Sequence, residues 1–200
     1  MSVPQRKPML TPAEYLRIER AALYRSEYFA GEMFAMAGGT PPHSLIAMNI
    51  GGELREALKG KPCAAYNSDL RIRVSASGLY TYPDISVICG ELQFDDDKRD
   101  TVFNPTLIVE VLSDSTEGYD RGKKFDHYRQ IPSLQEYVLV WQDSPKLERF
   151  MRSPDGTWNL TIVGGLDQQL VLPSIGVTLK LAEVFDRVAF SPPESGIARE

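Results

Sequence analysis

Cysteine and histidine are scarce in this 200-residue chain, with two of each: Cys63, Cys89, His43 and His127. Four such residues, far apart, make no zinc template. The two thiols form no Cys-x-x-Cys pair and read as small buried hydrophobes rather than a redox couple. No run approaches the roughly 18 apolar residues that a membrane-spanning helix needs. The first ten residues, MSVPQRKPML, carry positive charge but no apolar stretch, so no secretory signal is expected. The expected address is the cytoplasm, and the sequon Asn159-Leu160-Thr161 is then silent. A basic excess is also missing: 22 Lys and Arg stand against 27 Asp and Glu, for a net charge of -5. That excludes a protein that coats nucleic acid through bulk charge. It leaves room for an enzyme that meets nucleic acid through a local basic patch and a metal. There is no Gly-x-Ser-x-Gly elbow and no Gly-x-Gly-x-x-Gly fingerprint, which excludes serine hydrolases and dinucleotide enzymes. Gly118-x-x-x-Gly122-Lys123-Lys124 is one residue short of a P-loop and lacks its Ser/Thr.

What remains is ordinary globular material. Apolar residues make up 42% and charged residues 24%, close to soluble averages, so a disordered, collagen-like or coiled-coil chain is excluded. A chain of this length buries roughly 70% of its unfolded surface and needs no metal or disulfide to fold. No repeat or low-complexity tract divides it. The expected organisation is a flexible N-terminus (1–10), a single domain (11–188) and a flexible C-terminal tail (189–200).

Thr11-Pro12-Ala13-Glu14 is a capping box with Pro at the first helical position, predicting a helix to about Arg25. Glu27 to Met36 reads as extended, with a tight turn at Gly31. His43 to Lys59 reads as a long helix with Leu45, Met48, Leu54 and Leu58 on one stripe, stopped by Gly60. Leu70, Ile72 and Val74 alternate with Asp69, Arg71 and Arg73 as a half-buried strand, and Tyr82 to Cys89 is another. Thr106 to Leu112 is almost wholly apolar, as in a central strand covered on both faces. A helix from Asp120 to Gln130 and an apolar strand from Glu136 to Trp141 follow. Asp155-Gly156 joins strands near 146–152 and 157–163 as a hairpin. A last helix is expected from Leu181 to Arg187. This order predicts an α/β (α+β) domain around one mixed sheet.

Glu110 is the informative residue, because every neighbour from Leu107 to Leu112 is apolar. A carboxylate there is costly unless it is paired, protonated or bound to a metal. The plain alternative is an ion pair with an arginine such as Arg71 or Arg73. Asp84, in Tyr82-Pro83-Asp84-Ile85, enters a buried strand; alone, it reads first as a turn or cap residue. Together the two acids make a hard-oxygen site suited to Mg²⁺ or Mn²⁺. Asp120, Lys124 and Tyr128 are spaced i, i+4, i+8 and share one helical face. They read either as a solvated face with a weak Asp120–Lys124 pair, or as the source of an ammonium near the acids.

The ordered set Glu27, His43, Pro83-Asp84, Val109-Glu110-Val111-Leu112-Ser113, Asp120, Lys124, Tyr128 and Glu136-Tyr137 resembles the Uma-type restriction endonuclease family of the PD-(D/E)XK superfamily. The resemblance runs from about Thr11 to Val188. It implies a restriction-endonuclease-like mixed β-sheet flanked by helices. Asp84 would match the acid of the PD element and Glu110 that of (D/E)XK. Glu27 would be a further metal or water ligand, and Val111 would lend a backbone carbonyl to the metal. The lysine expected two residues after the acid is replaced by Leu112; Lys124 matches the lysine that the family places on the next helix, with Lys123 as the fallback. His43 would contact phosphate or cap its helix, and Tyr128 would steady Lys124 or touch substrate. Arg71 and Arg73 would contact a DNA backbone or form a solvated strand face. Asp95-Asp96-Asp97 reads as a solvated loop. The implied activity is a Mg²⁺-dependent endonuclease acting on nucleic acid, DNA above all, as a homodimer. The competing readings are a catalytically inactive nuclease-fold binding or assembly protein, and a hydrolase of another phosphate ester.

Overall fold

The computed structural model describes residues 9–113 and 116–190. The expected loose termini therefore fall mostly outside the described residues, although the Leu10 N–H donates to the Gly31 carbonyl at 2.9 Å.

Two sheets carry the fold. The larger runs β11-β10-β9-β8-β6-β3, and the smaller β2-β1-β5-β4-β7. In the larger sheet, β8 (Leu107–Leu112) lies parallel to β9 (Glu136–Trp141) and antiparallel to β6 (Ile85–Cys89). Outside these come β3 (Cys63–Asn67), β10 (Lys146–Arg152) and β11 (Trp158–Gly164). The smaller sheet holds β1 (Ser26–Phe29), β2 (Glu32–Ala35), β4 (Arg71–Val74), β5 (Leu79–Thr81) and β7 (Thr101–Val102). A hairpin of β12 (Gln169–Leu172) and β13 (Val177–Lys180) stands apart.

All six residues of β8 are buried, as its apolar run predicts for a strand covered on both faces. Leu107, Val109 and Val111 pack beneath α2 (Pro41–Ala57), the β12–β13 hairpin and α5 (Leu181–Val184). Ile108 and Leu112 face the opposite core, with Ile72, Val74 and Leu79 of the smaller sheet and Tyr128. Side chains alternate along a strand, so Glu110 points into this second layer.

The helix over that layer is a chain of short pieces. α3 (Glu117–Tyr119) leads into a π turn (Asp120–Lys124) and then α4 (Phe125–Tyr128). Asp120, Lys124 and Tyr128 are all buried, so the shared face is real and points inward.

Several sequence expectations need correction. α1 (Pro12–Glu19) forms with its capping box intact but stops six residues before Arg25. Its last residue turns inward, where Glu19 accepts from the Ser26 N–H at 2.9 Å and the Tyr82 hydroxyl at 2.8 Å. The buried stripe of α2 is Ile46, Ile50 and Leu54, continued by Leu58; Leu54 and Leu58 stand as expected, whereas Met48 is 73% exposed. The first half of α2 is apolar on several sides, and the sheet selects the face of Ile46 and Ile50. α5 ends at Val184 rather than Arg187, whose φ of 60° lies outside helical space.

Cys63 and Cys89 are bonded to each other and are not free thiols. The antiparallel register of β3 and β6 sets them directly opposite, which is what closes the bond. The acidic run 95–97 is not simply solvated either. Asp95 pairs with Arg73 and accepts from the Tyr80 hydroxyl, and Asp96 pairs with Arg20 at 2.6 Å. Among the described residues, no helix is long and apolar enough to cross a membrane.

Candidate active site

The antiparallel register of β6 on β8 pairs Ile85 with Val109. Asp84, one residue before β6, therefore stands beside Glu110. Backbone hydrogen bonds lock the two acids together. The Asp84 N–H donates to Glu110 Oε2 at 3.2 Å, and the Val111 N–H donates to Asp84 Oδ2 at 2.8 Å. Each acid is thus held by the other's strand. Pro83 helps here, because it ends the preceding segment without needing a ladder partner.

Lys124 closes the site from above. Its Nζ lies 2.9 Å from Glu110 Oε1, 3.4 Å from Asp120 Oδ1 and 3.5 Å from Glu27 Oε1. The Tyr128 hydroxyl donates to the same Glu110 Oε1 at 2.8 Å. Glu27 arrives from β1 and is held by the Thr81 hydroxyl, which also lies 3.5 Å from the Tyr128 hydroxyl. His43, in the first turn of α2, places Nε2 3.1 Å from Asp84 Oδ2. Its own N–H is taken by the Thr40 cap, so capping and contact with the site coexist.

Three carboxylates (Glu27, Glu110 and Asp120) thus surround one ammonium, and a fourth, Asp84, adjoins Glu110. Burial pushes the Glu110 carboxyl up to about 8 against the pull of Lys124. Burial raises Asp120 as well. Burial also works against the Lys124 charge, but Glu110, Tyr128, Glu27 and Asp120 together hold it well above the usual amine range. Lys124 therefore keeps its proton, and the carboxylates bear the cost of crowding. The hydrogen bond to Asp84 raises His43. At the rim, burial beside Glu27 pushes the Tyr119 phenol up to about 12.

The Uma2 family model, described as "Putative restriction endonuclease", matches residues 12–182. The chain belongs to the Uma2 family. It is 38% identical over 185 residues to the uncharacterised protein slr1290 of Synechocystis, covering 92% of this chain and 95% of that one. A second Synechocystis protein, sll1609, also uncharacterised, is 37% identical over 162 residues, or 81% and 92% of the two chains. In fold, the chain resembles an Anabaena variabilis crystal structure described as "a putative nuclease belonging to DUF820". The TM-score is 0.72 at 19% identity, with 88% of this chain and 97% of that one covered. The Uma2 chain thus has the restriction-endonuclease-like fold, a mixed sheet flanked by few helices.

Within the Uma2 chain, the missing lysine at position 112 has a structural answer. Leu112 shares the face of Glu110 but is 3% exposed and packs in the core beside Ile72 and Tyr137. The ammonium comes from the π turn instead. A π turn carries an extra residue per turn and is frequent at functional sites. Of the sequence candidates, Glu27, His43, Asp84, Glu110, Val111, Lys124 and Tyr128 converge, and Asp120 joins them. Arg71 and Arg73 do not. Arg71 is 4% exposed, donates to Thr101 Oγ1 at 2.9 Å and pairs with Asp100 at 3.1 Å. Arg73 pairs with Asp95. Neither meets Glu110, whose partner is Lys124; Arg71 is buried against the solvated-face expectation, whereas Arg73 stays 34% exposed beside Asp95. Lys123 is exposed on the far side of the turn from the buried Lys124. Sequence reading missed Thr81 and Tyr119. Thr81 stands three residues before Asp84 with no local signal of its own, and Tyr119 directly precedes the Asp120 that starts the noted helical face.

Among the described residues, no group of three or more His, Cys, Asp and Glu forms a ready metal cage. Mg²⁺ does not need one, since it binds through one or two carboxylates and keeps water or phosphate oxygens elsewhere. The donor set fits: two adjacent hard-oxygen acids sit in a site with an unbalanced negative charge. Asp84 and Glu110 would hold such an ion, with the Val111 carbonyl as a third oxygen.

Proposed function

We propose that the chain is a Mg²⁺- or Mn²⁺-dependent endonuclease that hydrolyses phosphodiester bonds in DNA. The observation that carries this reading is the Lys124 ammonium 2.9 Å from Glu110, an acid that also binds the Asp84 N–H. Acid, acid and lysine are assembled although the lysine has left its usual place in sequence. A divalent ion at Asp84 and Glu110 would lower the pKa of a bound water and offset phosphate charge.

The chain's own groups do the rest. Tyr128 and Asp84's N–H fix both oxygens of Glu110, so the carboxylate cannot rotate. Asp120 and Glu27 hold the Lys124 ammonium above it, where it orients the attacking water and stabilises charge developing on phosphorus. Thr81 keeps Glu27 in place. His43 steadies Asp84 and stands where a phosphate oxygen would approach. A homodimer with one cutting centre per subunit, suited to paired cleavage of a duplex, belongs to the same proposal.

Incubation of linear DNA with purified protein and Mg²⁺ tests the reading. The wild type is expected to cut, EDTA to stop it, and Asp84→Asn and Glu110→Gln each to abolish it with the fold retained. An inactive wild type, or activity surviving in both variants, would overturn it. One observation favours a non-catalytic nuclease-fold binding protein instead: the chain carries a net charge of -5, which weakens attraction to a polyanion. An inactive wild type that binds no metal would select that alternative.

A further inference from the structure

Arg71 is buried and Arg73 lies in the smaller sheet beside Asp95, so neither stands at the catalytic rim, where other cations do. The rim lies at the C-terminal ends of β8 and β9. Trp141 ends β9 and pairs with Leu112, two residues beyond Glu110. Two cations lie over its ring: Lys146 Nζ is 4.1 Å from the ring centre and Arg121 Cζ is 5.5 Å from it. Arg121 belongs to the π turn that delivers Lys124, and Lys146 opens β10.

Both cations grip one acid. Glu148 lies 2.9 Å from Arg121 and 3.0 Å from Lys146. The Glu148 side chain is 1% exposed and the two cationic side chains 34% each. One carboxylate beneath the surface therefore pins two cationic heads at it. Glu117 stands further from Arg121, at 3.8 Å. Lys123, in the same turn, is exposed. The arrangement is braced to the catalytic side, since the Thr40 hydroxyl donates to Gln142, next to Trp141, at 2.7 Å. Thr40 also caps the helix that carries His43.

We propose that Arg121 and Lys146 around Trp141 form a ridge that binds backbone phosphates of DNA and seats the strand beside Asp84 and Glu110. The inference rests on the nuclease reading and deepens it by naming the surface that receives the substrate. Because cations already lie over the indole ring, the ridge offers charge rather than a free stacking platform. It therefore positions the backbone without reading bases.

The test is fluorescence anisotropy with a labelled DNA duplex, without divalent ions so that cleavage plays no part, from about 50 to about 200 mM salt. Each phosphate contact contributes roughly 0.9 to the slope of log affinity against log salt. Lys146→Gln, in which Arg121 still neutralises Glu148, is expected to lower the slope by about 0.9. Arg121→Gln with Lys146→Gln in a Glu148→Gln background leaves no unpaired buried charge and is expected to lower it by about 1.8. Glu148→Gln alone is expected to bind at least as tightly as wild type, which a merely structural cluster would not produce. In Mg²⁺, the triple variant should show a raised KM with kcat retained. Unchanged slopes in the folded variants would remove the ridge while leaving the nuclease reading intact. A wild type that binds no DNA would remove both.

Discussion

Lys124→Met is the most informative single perturbation of stability. It removes the ammonium from a buried group of acids while keeping the length of the side chain. At 2.9 Å the Lys124–Glu110 attraction amounts to about 6 kcal/mol at an effective dielectric of about 20. Burying the two charges costs several kcal/mol each, so the pair itself is worth far less than its Coulomb energy. Removing one partner is a different matter. It leaves Glu110, 4% exposed, and Asp120, also 4% exposed, without a counter-charge. The expected loss is about 3–5 kcal/mol. Protonation of Glu110, whose carboxyl burial lifts to about 8 even with Lys124 present, caps that loss at neutral pH, so the full figure is read above that value. Adding Glu110→Gln to Lys124→Met removes the stranded charge and should restore at least about 2 kcal/mol, by the logic of replacing both members of a buried pair. Urea unfolding followed by tryptophan fluorescence, with the full double-mutant cycle, measures this directly. A loss below about 1 kcal/mol for Lys124→Met would refute the reasoning, as would a double variant no more stable than the single. Glu110→Gln alone leaves Lys124 with Asp120 at 3.4 Å and Glu27 at 3.5 Å, and should destabilise less than Lys124→Met.

Two further predictions lie away from the site. The Cys63–Cys89 bond closes a separation of 26 residues, so Cys63→Ser with Cys89→Ser should cost about 3.5 kcal/mol, or roughly 10 °C in Tm by calorimetry. A wild type equally stable with and without reductant would contradict it. The hydrogen bond from Arg20, followed by the Arg71 charge, holds Asp100 down at about 2 from its ordinary 3.8. A depressed carboxyl stabilises the fold above its unfolded pKa and loses that contribution as pH falls through the folded value. The stability gap between wild type and Asp100→Asn should therefore be full at pH 5 and close between about pH 4 and about pH 2. A gap independent of pH in urea midpoints would rule this out.

Legibility of the fold in the sequence depended on how local the cause was. The capping box at Thr11, the apolar run of β8 and the Asp155-Gly156 hairpin are decided by neighbouring residues, and all three stand as read. So does the inward face of Asp120, Lys124 and Tyr128. The α2 stripe is legible at Leu54 and Leu58 but not in the first half of the helix, where Leu45, Ile46, Met48 and Ile50 offer more than one apolar face and only the sheet beneath selects among them. Arg71 and Arg73 alternate with apolar residues as a solvated strand would. The burial of Arg71 and the pairing of Arg73 come from α1 and the loop around Asp95 to Asp100, which fold back from far along the chain. The β3–β6 pairing that joins Cys63 to Cys89 is equally non-local. The β12–β13 hairpin did leave a signal, in the alternation of Leu170, Leu172, Val177 and Leu179, that went unread. The π turn left none, since nothing in Asp120 to Lys124 marks a widened turn.

On the proposed reading, Asp84 and Glu110 together hold one divalent ion. Isothermal titration of the purified protein with Mn²⁺ tests it most directly. One ion per chain is expected for the wild type, with binding lost in both Asp84→Asn and Glu110→Gln. No binding by the wild type, or the same binding by either variant, would contradict it.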